Sequence, residues 1–205
     1  MTKLSLLHVS DLHWAPHFQN DLKVVSDALQ RDVDSYTSAN GISINAVIFS
    51  GDLALGGDDP TWFKGAYDNF LVPISERLDV PMERVFVAPG NHDISRELVR
   101  KIPSIHRGLA EKLTSNQAIN RVIDAEHKEG SETAQSLGRM NNFYEEHDKR
   151  HPAHSGTSPY YRTGRFAHGD RIIGVACLNS AWMATGEGED SDHQKLVLGE
   201  RAVDM

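Results

Sequence analysis

The sequence predicts an α/β fold in which helices pack against a parallel β-sheet. Three short apolar runs alternate with two segments of helical periodicity, and this βαβαβ order usually forms a parallel sheet. The chain has 205 residues, 39% of them hydrophobic and 24% charged, which is typical of one globular domain. Its longest apolar runs span only a few residues, too few for a transmembrane helix.

The first half of the chain supplies two strands and the helix between them. Leu4–Val9 and Ala46–Phe49 are short, continuous apolar runs, the pattern of strands buried on both faces. Between them, apolar residues recur at helical spacing from Asp21 to Tyr36, and Gly41 closes this unit. The segment is therefore predicted as strand, helix and strand.

A second helix, a third strand and a helical segment follow. Thr61–Leu78 has the periodicity of a helix, although Pro73 interrupts its second half. Val85–Ala88 is the third apolar run and predicts a strand. Helix-forming residues then dominate from about 95 to 150, which predicts a mostly helical insertion.

The last part of the chain predicts three more strands. They cover Tyr160–Thr163, Arg165–His168 and Arg171–Leu178, with a hairpin turn near Gly169–Asp170. His151 and His154 lie just before them in a loop rich in Pro, Ser and Gly. Such a loop has no rigid geometry, so we expect these histidines to be exposed rather than to bind a metal.

Polar side chains follow each of the first three predicted strands. Asp11 and His13 follow the first, Asp52 the second and Asn91 the third, and 39 positions separate His13 from Asp52 and Asp52 from Asn91. Because the carboxyl ends of parallel strands meet at one edge, we expect these side chains to converge. Two carboxylates, an imidazole and an amide oxygen suit Mn²⁺, Fe or Zn²⁺ better than a thiolate-bound structural zinc.

The neighbouring residues suggest what such a centre does. If Asp52 bridges two ions, the pair can hold an attacking hydroxide and clamp a phosphoryl group. His92 is placed to protonate the leaving alkoxide, and Asp93 to fix the tautomer of His92. Each motif alone also has an ordinary explanation as a turn residue, and capping of the next helix explains Asp93 almost as well.

These motifs resemble those of a known family. Asp11-Leu12-His13, Gly51-Asp52 and Gly90-Asn91-His92-Asp93, each after an apolar strand, are similar to the first three motifs of the calcineurin-like metallophosphoesterases. Leu178–Trp182 resembles a strand-end sequence that many bacterial members carry. The resemblance implies a four-layer α/β/β/α sandwich with a dinuclear metal centre that hydrolyses phosphate esters.

The resemblance also implies roles for the individual residues. Asp11 and His13 would bind one ion, Asp52 both ions and Asn91 the second, while His92 would be the acid or contact the phosphate. The family completes the centre with another histidine and a Gly-His-x-His motif, which this sequence lacks. We therefore expect residues 1–205 to form a domain truncated at its C-terminal end, with the insertion at about 95–150 and an incomplete second metal site.

Hydrolysis of a phosphomonoester or phosphodiester is thus the predicted function. One alternative is a catalytically weak regulatory module, with the 95–150 insertion binding a protein partner. Another is a nuclease acting on nucleic-acid ends. The net charge of −8, with 10 Lys and Arg against 9 Asp and Glu in residues 95–150, does not favour nucleic acid.

The single cysteine, Cys177, and the absence of a signal-peptide core predict a cytoplasmic protein with no membrane partner.

Overall fold

A three-stranded parallel sheet forms the centre of the fold. The structure, a computed structural model, describes residues 3–124, 130–154, 156, 158–186, 192 and 196–199. The strands β1 (Leu6–Val9), β2 (Ala46–Ser50) and β3 (Val85–Ala88) lie in the order β1-β2-β3 and run in the same direction. Their carboxyl ends therefore share one edge of the sheet, as the sequence predicts.

Helices cover one face of this sheet. Helix α1 (Gln19–Asn40) is longer than predicted and ends at Gly41, whose φ of 61° suits glycine. Helices α2 (Pro60–Ala66) and α3 (Val72–Arg77) follow β2. The core between the sheet and these helices contains fully buried residues from both layers, among them Val47, Phe49, Val85, Phe63 and Leu71.

The predicted helix over Thr61–Leu78 has a wider turn in its middle. The residues Tyr67–Leu71 form a π-helical turn that joins α2 to α3. Pro73 lies near the start of α3. A proline inside an α-helix lacks the N–H for the ladder and clashes with the carbonyl four residues earlier, and a π-turn at that point relieves the conflict. The chain thus continues as a helix despite the proline.

The segment predicted as a helical insertion is indeed helical. It contains α4 (Arg96–Lys101), α5 (Pro103–Lys112), α6 (Asn116–Asp124), α7 (Glu132–Leu137) and α8 (Asn141–Arg150). Helix α8 packs on α2, where the rings of Phe143 and Phe63 lie 5.8 Å apart, and so belongs to the main core. A second core joins α5, α6 and α7 to Tyr160, Trp182 and Met183.

An antiparallel hairpin packs on the other face of the parallel sheet. It consists of β4 (Tyr161–His168) and β5 (Arg171–Leu178), joined at Gly169 as predicted. The two strands predicted before this turn are one strand, with Gly164 in its middle. A Cβ at Gly164 would come within 2.7 Å of the Phe86 ring on β3, so glycine is needed there for close packing.

The described layers are thus helices, a parallel sheet and a hairpin, an α/β sandwich of the predicted type. Within these residues, none of the helices has the length and apolar character needed to cross a membrane.

The turn after α8 corrects one expectation from the sequence. His151 is buried rather than exposed: its Nδ1 donates to the Met82 carbonyl oxygen (3.0 Å), and its Nε2 accepts from the Tyr67 hydroxyl (3.0 Å). His154 is half-buried, with its Nε2 donating to the Glu83 carbonyl oxygen (3.0 Å). Both rings fill space between α8, the π-turn and the segment before β3, which sequence spacing does not reveal.

Candidate metal centre

The loops that follow β1 and β2 run side by side and carry the first candidate ligands. The N–H of Asp11 donates to the Gly51 carbonyl oxygen (3.0 Å), and the N–H of His13 donates to the Asp52 carbonyl oxygen (2.9 Å). These bonds continue the pairing of β1 with β2 beyond the sheet. Asp11, His13 and Asp52 are therefore brought to the same edge.

The backbone at these three positions is unusual. Asp11, His13 and Asp52 have φ values of 58°, 48° and 58°. For residues with a side chain this left-handed conformation is uncommon, and each instance costs about 1–3 kcal/mol. Such backbone strain clusters at functional sites, where the surrounding structure must maintain it.

The side chains gather without bonding to one another. Nε2 of His13 lies 3.8 Å from Oδ2 of Asp52 and 3.9 Å from Oδ1 of Asp11. Both distances are too long for a hydrogen bond. One ligand atom from each of His13, Asp52 and His92 lies within 4.8 Å of the others, as ligands of a shared ion require. Nδ1 of His13 is buried and has no hydrogen-bond partner.

Asp52 is oriented by the loop after β3. Its Oδ1 accepts a hydrogen bond from the backbone N–H of His92 (2.9 Å), while Oδ2 lies toward His13. Gly90 makes this approach feasible, because a Cβ there would come within 2.2 Å of Oδ1 and 2.4 Å of the Asp52 nitrogen. The glycine thus permits contact between two of the three predicted motifs.

Replacing Gly90 by alanine tests this packing. We expect the added methyl group to displace Asp52, lower the free energy of unfolding by about 1–3 kcal/mol and weaken Mn²⁺ binding by roughly tenfold or more. Urea unfolding and a Mn²⁺ titration measure the two effects. Gly108→Ala is the matched control, because a Cβ in α5 meets nothing within 4 Å. If Gly90→Ala behaves like Gly108→Ala, the loops do not pack as described.

The remaining predicted ligands lie at the margins of this cluster. Asp11 is exposed, and its Oδ2 accepts from the hydroxyl of Ser10. Asn91 is half-buried in the turn after β3, next to His92. Burial lowers the pKa of His13, with nearby Asp52 opposing the shift. The lower pKa favours the neutral imidazole that binds metals.

Asp93 has different partners from those that the sequence predicts. It is fully buried; its Oδ2 accepts from the N–H groups of Gly90 (2.8 Å) and Leu53 (3.1 Å), and its Oδ1 from the N–H of Ala54 (2.8 Å). Burial raises the pKa of Asp93 to about 7, although these three donors act in the other direction. The carboxylate thus ties the loop after β2 to the loop after β3.

The ring of His92 is held by Leu55 and Arg96, whose contacts with it the sequence does not predict. Its Nδ1 lies 3.2 Å from the Leu55 carbonyl oxygen and 2.9 Å from Nη2 of Arg96. Arg96 follows His92 by four positions, the spacing at which two side chains of one helix contact each other, and this spacing is the feature of the sequence that could have indicated the contact. The contact was not evident because His92 precedes α4 rather than lying within it.

The donor set fits a divalent ion. Carboxylate oxygens and neutral imidazole nitrogens suit Mn²⁺, Fe and Zn²⁺. Nε2 of His13 faces the carboxylates of Asp11 and Asp52 at 3.9 and 3.8 Å without a hydrogen bond, and the backbone of all three residues is strained, which suits an arrangement around an ion. The arrangement therefore supports a site for metal-assisted chemistry.

Comparison with known families agrees with this geometry. The model of the family described as calcineurin-like phosphoesterase matches residues 4–178, from the segment before β1 to the end of β5. All six predicted site residues lie within this match. A comparison with curated proteins finds no match.

Proposed function

Because this chain belongs to the calcineurin-like phosphoesterase family, we propose that it hydrolyses phosphate monoesters or diesters with divalent metal ions. One observation carries the proposal: side-chain polar atoms of His13, Asp52 and His92 meet within 4.8 Å at the carboxyl edge of the parallel sheet. In α/β folds this edge is where ligands bind.

We assign the metal ligands as follows. Asp11, His13 and Asp52 would hold the first ion, and Asp52 with Asn91 would contribute to the second. Among the described residues, His13, Asp52 and His92 form the single cluster of three or more His, Cys, Asp or Glu side chains arranged for an ion, so we propose that the second ion is held more weakly than the first. Bound divalent ions supply Lewis acidity and a nucleophile at neutral pH. Mn²⁺, Fe and Zn²⁺ are the proposed metals.

The protein groups have separate roles in this proposal. Asp52 is oriented by the N–H of His92, and this bond keeps the other carboxylate oxygen directed at the site. His92 donates a proton or hydrogen bond to the oxygen that leaves phosphorus. Asp93 does not touch the substrate; it is a positioning residue that holds the loops carrying Asp52 and His92.

Other features bear on substrate and location. The net charge of −8 argues against a nucleic-acid substrate, since the 29 Asp and Glu outnumber the 21 Lys and Arg that could neutralise its phosphates. We propose a cytoplasmic location, supported by the single cysteine, Cys177, which is buried with its thiol pKa raised to about 12. A protein partner for residues 95–150 stays a prediction.

Asp52→Asn tests the proposed function. The change keeps the shape of the side chain and removes its charge, so we expect Mn²⁺ affinity to fall roughly 10- to 100-fold and hydrolysis to be lost. Calorimetric titration with Mn²⁺ and hydrolysis of an aryl phosphate monoester and diester measure both effects.

The matched control is Asp27→Asn, an exposed position on α1 with the same change of charge. It is expected to bind Mn²⁺ and to hydrolyse the esters as the unchanged chain does. If Asp52→Asn also retains both properties, the site assignment is wrong.

A further inference from the structure

Arg96 reaches from the start of α4 into the candidate site. Its Nη2 lies 2.9 Å from Nδ1 of His92 and 3.3 Å from the carbonyl oxygen of Leu55. The side chain is half-buried, and its Nε is enclosed without a hydrogen-bond partner. Gly186 lies against the Arg96 side chain, so closely that a Cβ at this position would come within 2.9 Å of Nε. The guanidinium is thus packed into the site.

The chemistry of arginine determines the proton position on His92. A guanidinium has donors and no acceptor. If Nδ1 of His92 carried a proton, two N–H donors would face each other across 2.9 Å. Nδ1 must therefore accept from Arg96, so the neutral ring carries its proton on Nε2. The Leu55 carbonyl oxygen accepts from Arg96 in the same arrangement.

This arrangement is the reverse of the usual one for a metal-binding histidine. Such a ligand donates one ring N–H to a carboxylate or carbonyl and uses the lone pair on the other nitrogen for the ion. A cationic donor at Nδ1 instead leaves Nε2 protonated and without a lone pair. His92 belongs to the cluster that geometry alone permits to bind a metal, so its tautomer decides its role.

We propose that Arg96 is a positioning residue that fixes the Nε2–H tautomer of His92 and makes it a donor to the substrate rather than a metal ligand. The catalytic meaning rests on the proposed function, whereas the tautomer itself does not. The Leu55 carbonyl oxygen, 3.2 Å from Nδ1, is the acceptor that takes over once the guanidinium is removed.

The tautomer is measured directly by NMR. Two-bond ¹H–¹⁵N correlation spectra of the metal-free full chain distinguish protonated from unprotonated ring nitrogens, about two pH units above the ordinary histidine pKa of ~6.5. His92→Gln assigns the signals. We expect Nε2–H in the unchanged chain and in Arg96→Lys, which keeps a donor, and Nδ1–H in Arg96→Met.

Arg100→Met is the matched control, because Arg100 is exposed on the same helix. It should leave the His92 signals unchanged. An unchanged chain with Nδ1–H, or an Arg96→Met variant that keeps Nε2–H, overturns the proposal.

Hydrolysis provides a second readout that a merely structural role would not produce. Proton donation matters most for a poor leaving group. Arg96→Met should therefore lose roughly tenfold more kcat on an alkyl phosphate than on a nitrophenyl phosphate. Mn²⁺ affinity should not fall, and Arg96→Lys should restore much of the loss.

Equal losses on both esters overturn the link to proton donation. Absence of hydrolysis by the unchanged chain contradicts the proposed function, while the NMR result still decides the tautomer.

Discussion

Replacing Asp93 by asparagine is expected to lower the free energy of unfolding by about 2–4 kcal/mol. The carboxylate accepts three backbone N–H bonds, from Leu53, Ala54 and Gly90, and it is fully buried. An asparagine amide replaces one acceptor oxygen by an NH₂ group. In either orientation of the amide, a donor then faces a buried donor, and at least one backbone N–H loses its partner.

Urea unfolding measures this loss, and Asp58→Asn is its matched control. The carboxylate of Asp58 also accepts two hydrogen bonds, from the Ser95 hydroxyl and the Glu97 N–H, but the residue is exposed. Water can replace those bonds, so we expect a loss of about 1 kcal/mol or less. Equal unfolding midpoints for the two variants would show that Asp93 does not hold the loops.

The parallel sheet and the convergence of polar residues at one of its edges were predictable from the sequence. Short apolar runs that alternate with helical segments predict parallel strands. The equal spacing of the polar residues after these runs indicates repeated strand–helix units, whose carboxyl ends lie at one edge of the sheet. The structure accordingly brings His13, Asp52 and His92 to one edge of the sheet. Local patterns are sufficient for this result because each motif directly follows its own strand.

The partners of the site residues were not predictable in the same way. Asp93 bonds to N–H groups about 40 positions earlier, so its role depends on how two loops pack. Gly164 was predicted to separate two strands, yet it lies within one strand, where the absence of a side chain lets the strand pack closely on Phe86 of the parallel sheet. Helix periodicity likewise could not show how the π-turn at Tyr67–Leu71 accommodates Pro73. These features arise from tertiary contacts.

Three neighbouring histidines, one in α8 and two in the turn after it, make the fold sensitive to acid. The ring centroids of His147 and His151, and of His151 and His154, lie 4.7 Å apart. His147 donates its one ring proton to a carboxylate oxygen of Asp148. His151 and His154 donate theirs to the backbone carbonyl oxygens of Met82 and Glu83. Nε2 of His147 and Nδ1 of His154 are buried without partners, so added protons would find no acceptor there.

Burial therefore keeps these rings neutral. It lowers the pKa of His147 to about 4 and that of His151 to about 3. Asp148 opposes the shift in both rings, and the positive charge of Arg162 adds to it at His147. The ordinary histidine pKa is about 6.5, so below that pH the unfolded chain binds more protons than the folded chain. Stability must then fall as the pH falls from about 6.5 toward 4.

Lowering the pH from 7 to 5 is expected to remove about 2 kcal/mol of stability for each of His147 and His151. His151→Gln isolates one of these contributions. A glutamine amide can donate to Met82 and accept from Tyr67 as His151 does, but it does not titrate. Its free energy of unfolding should fall by about 2 kcal/mol less than that of the unchanged chain over this interval.

Urea unfolding at pH 7 and pH 5 measures that difference, with His17→Gln as the matched control. His17 is exposed, so its replacement should leave the pH-dependent loss unchanged. The decisive quantity is the change in unfolding free energy between the two pH values, because a packing defect lowers stability at both and cancels in the difference. A loss in His151→Gln as large as in the unchanged chain would mean that His151 takes up its proton in the folded protein as readily as in the unfolded chain.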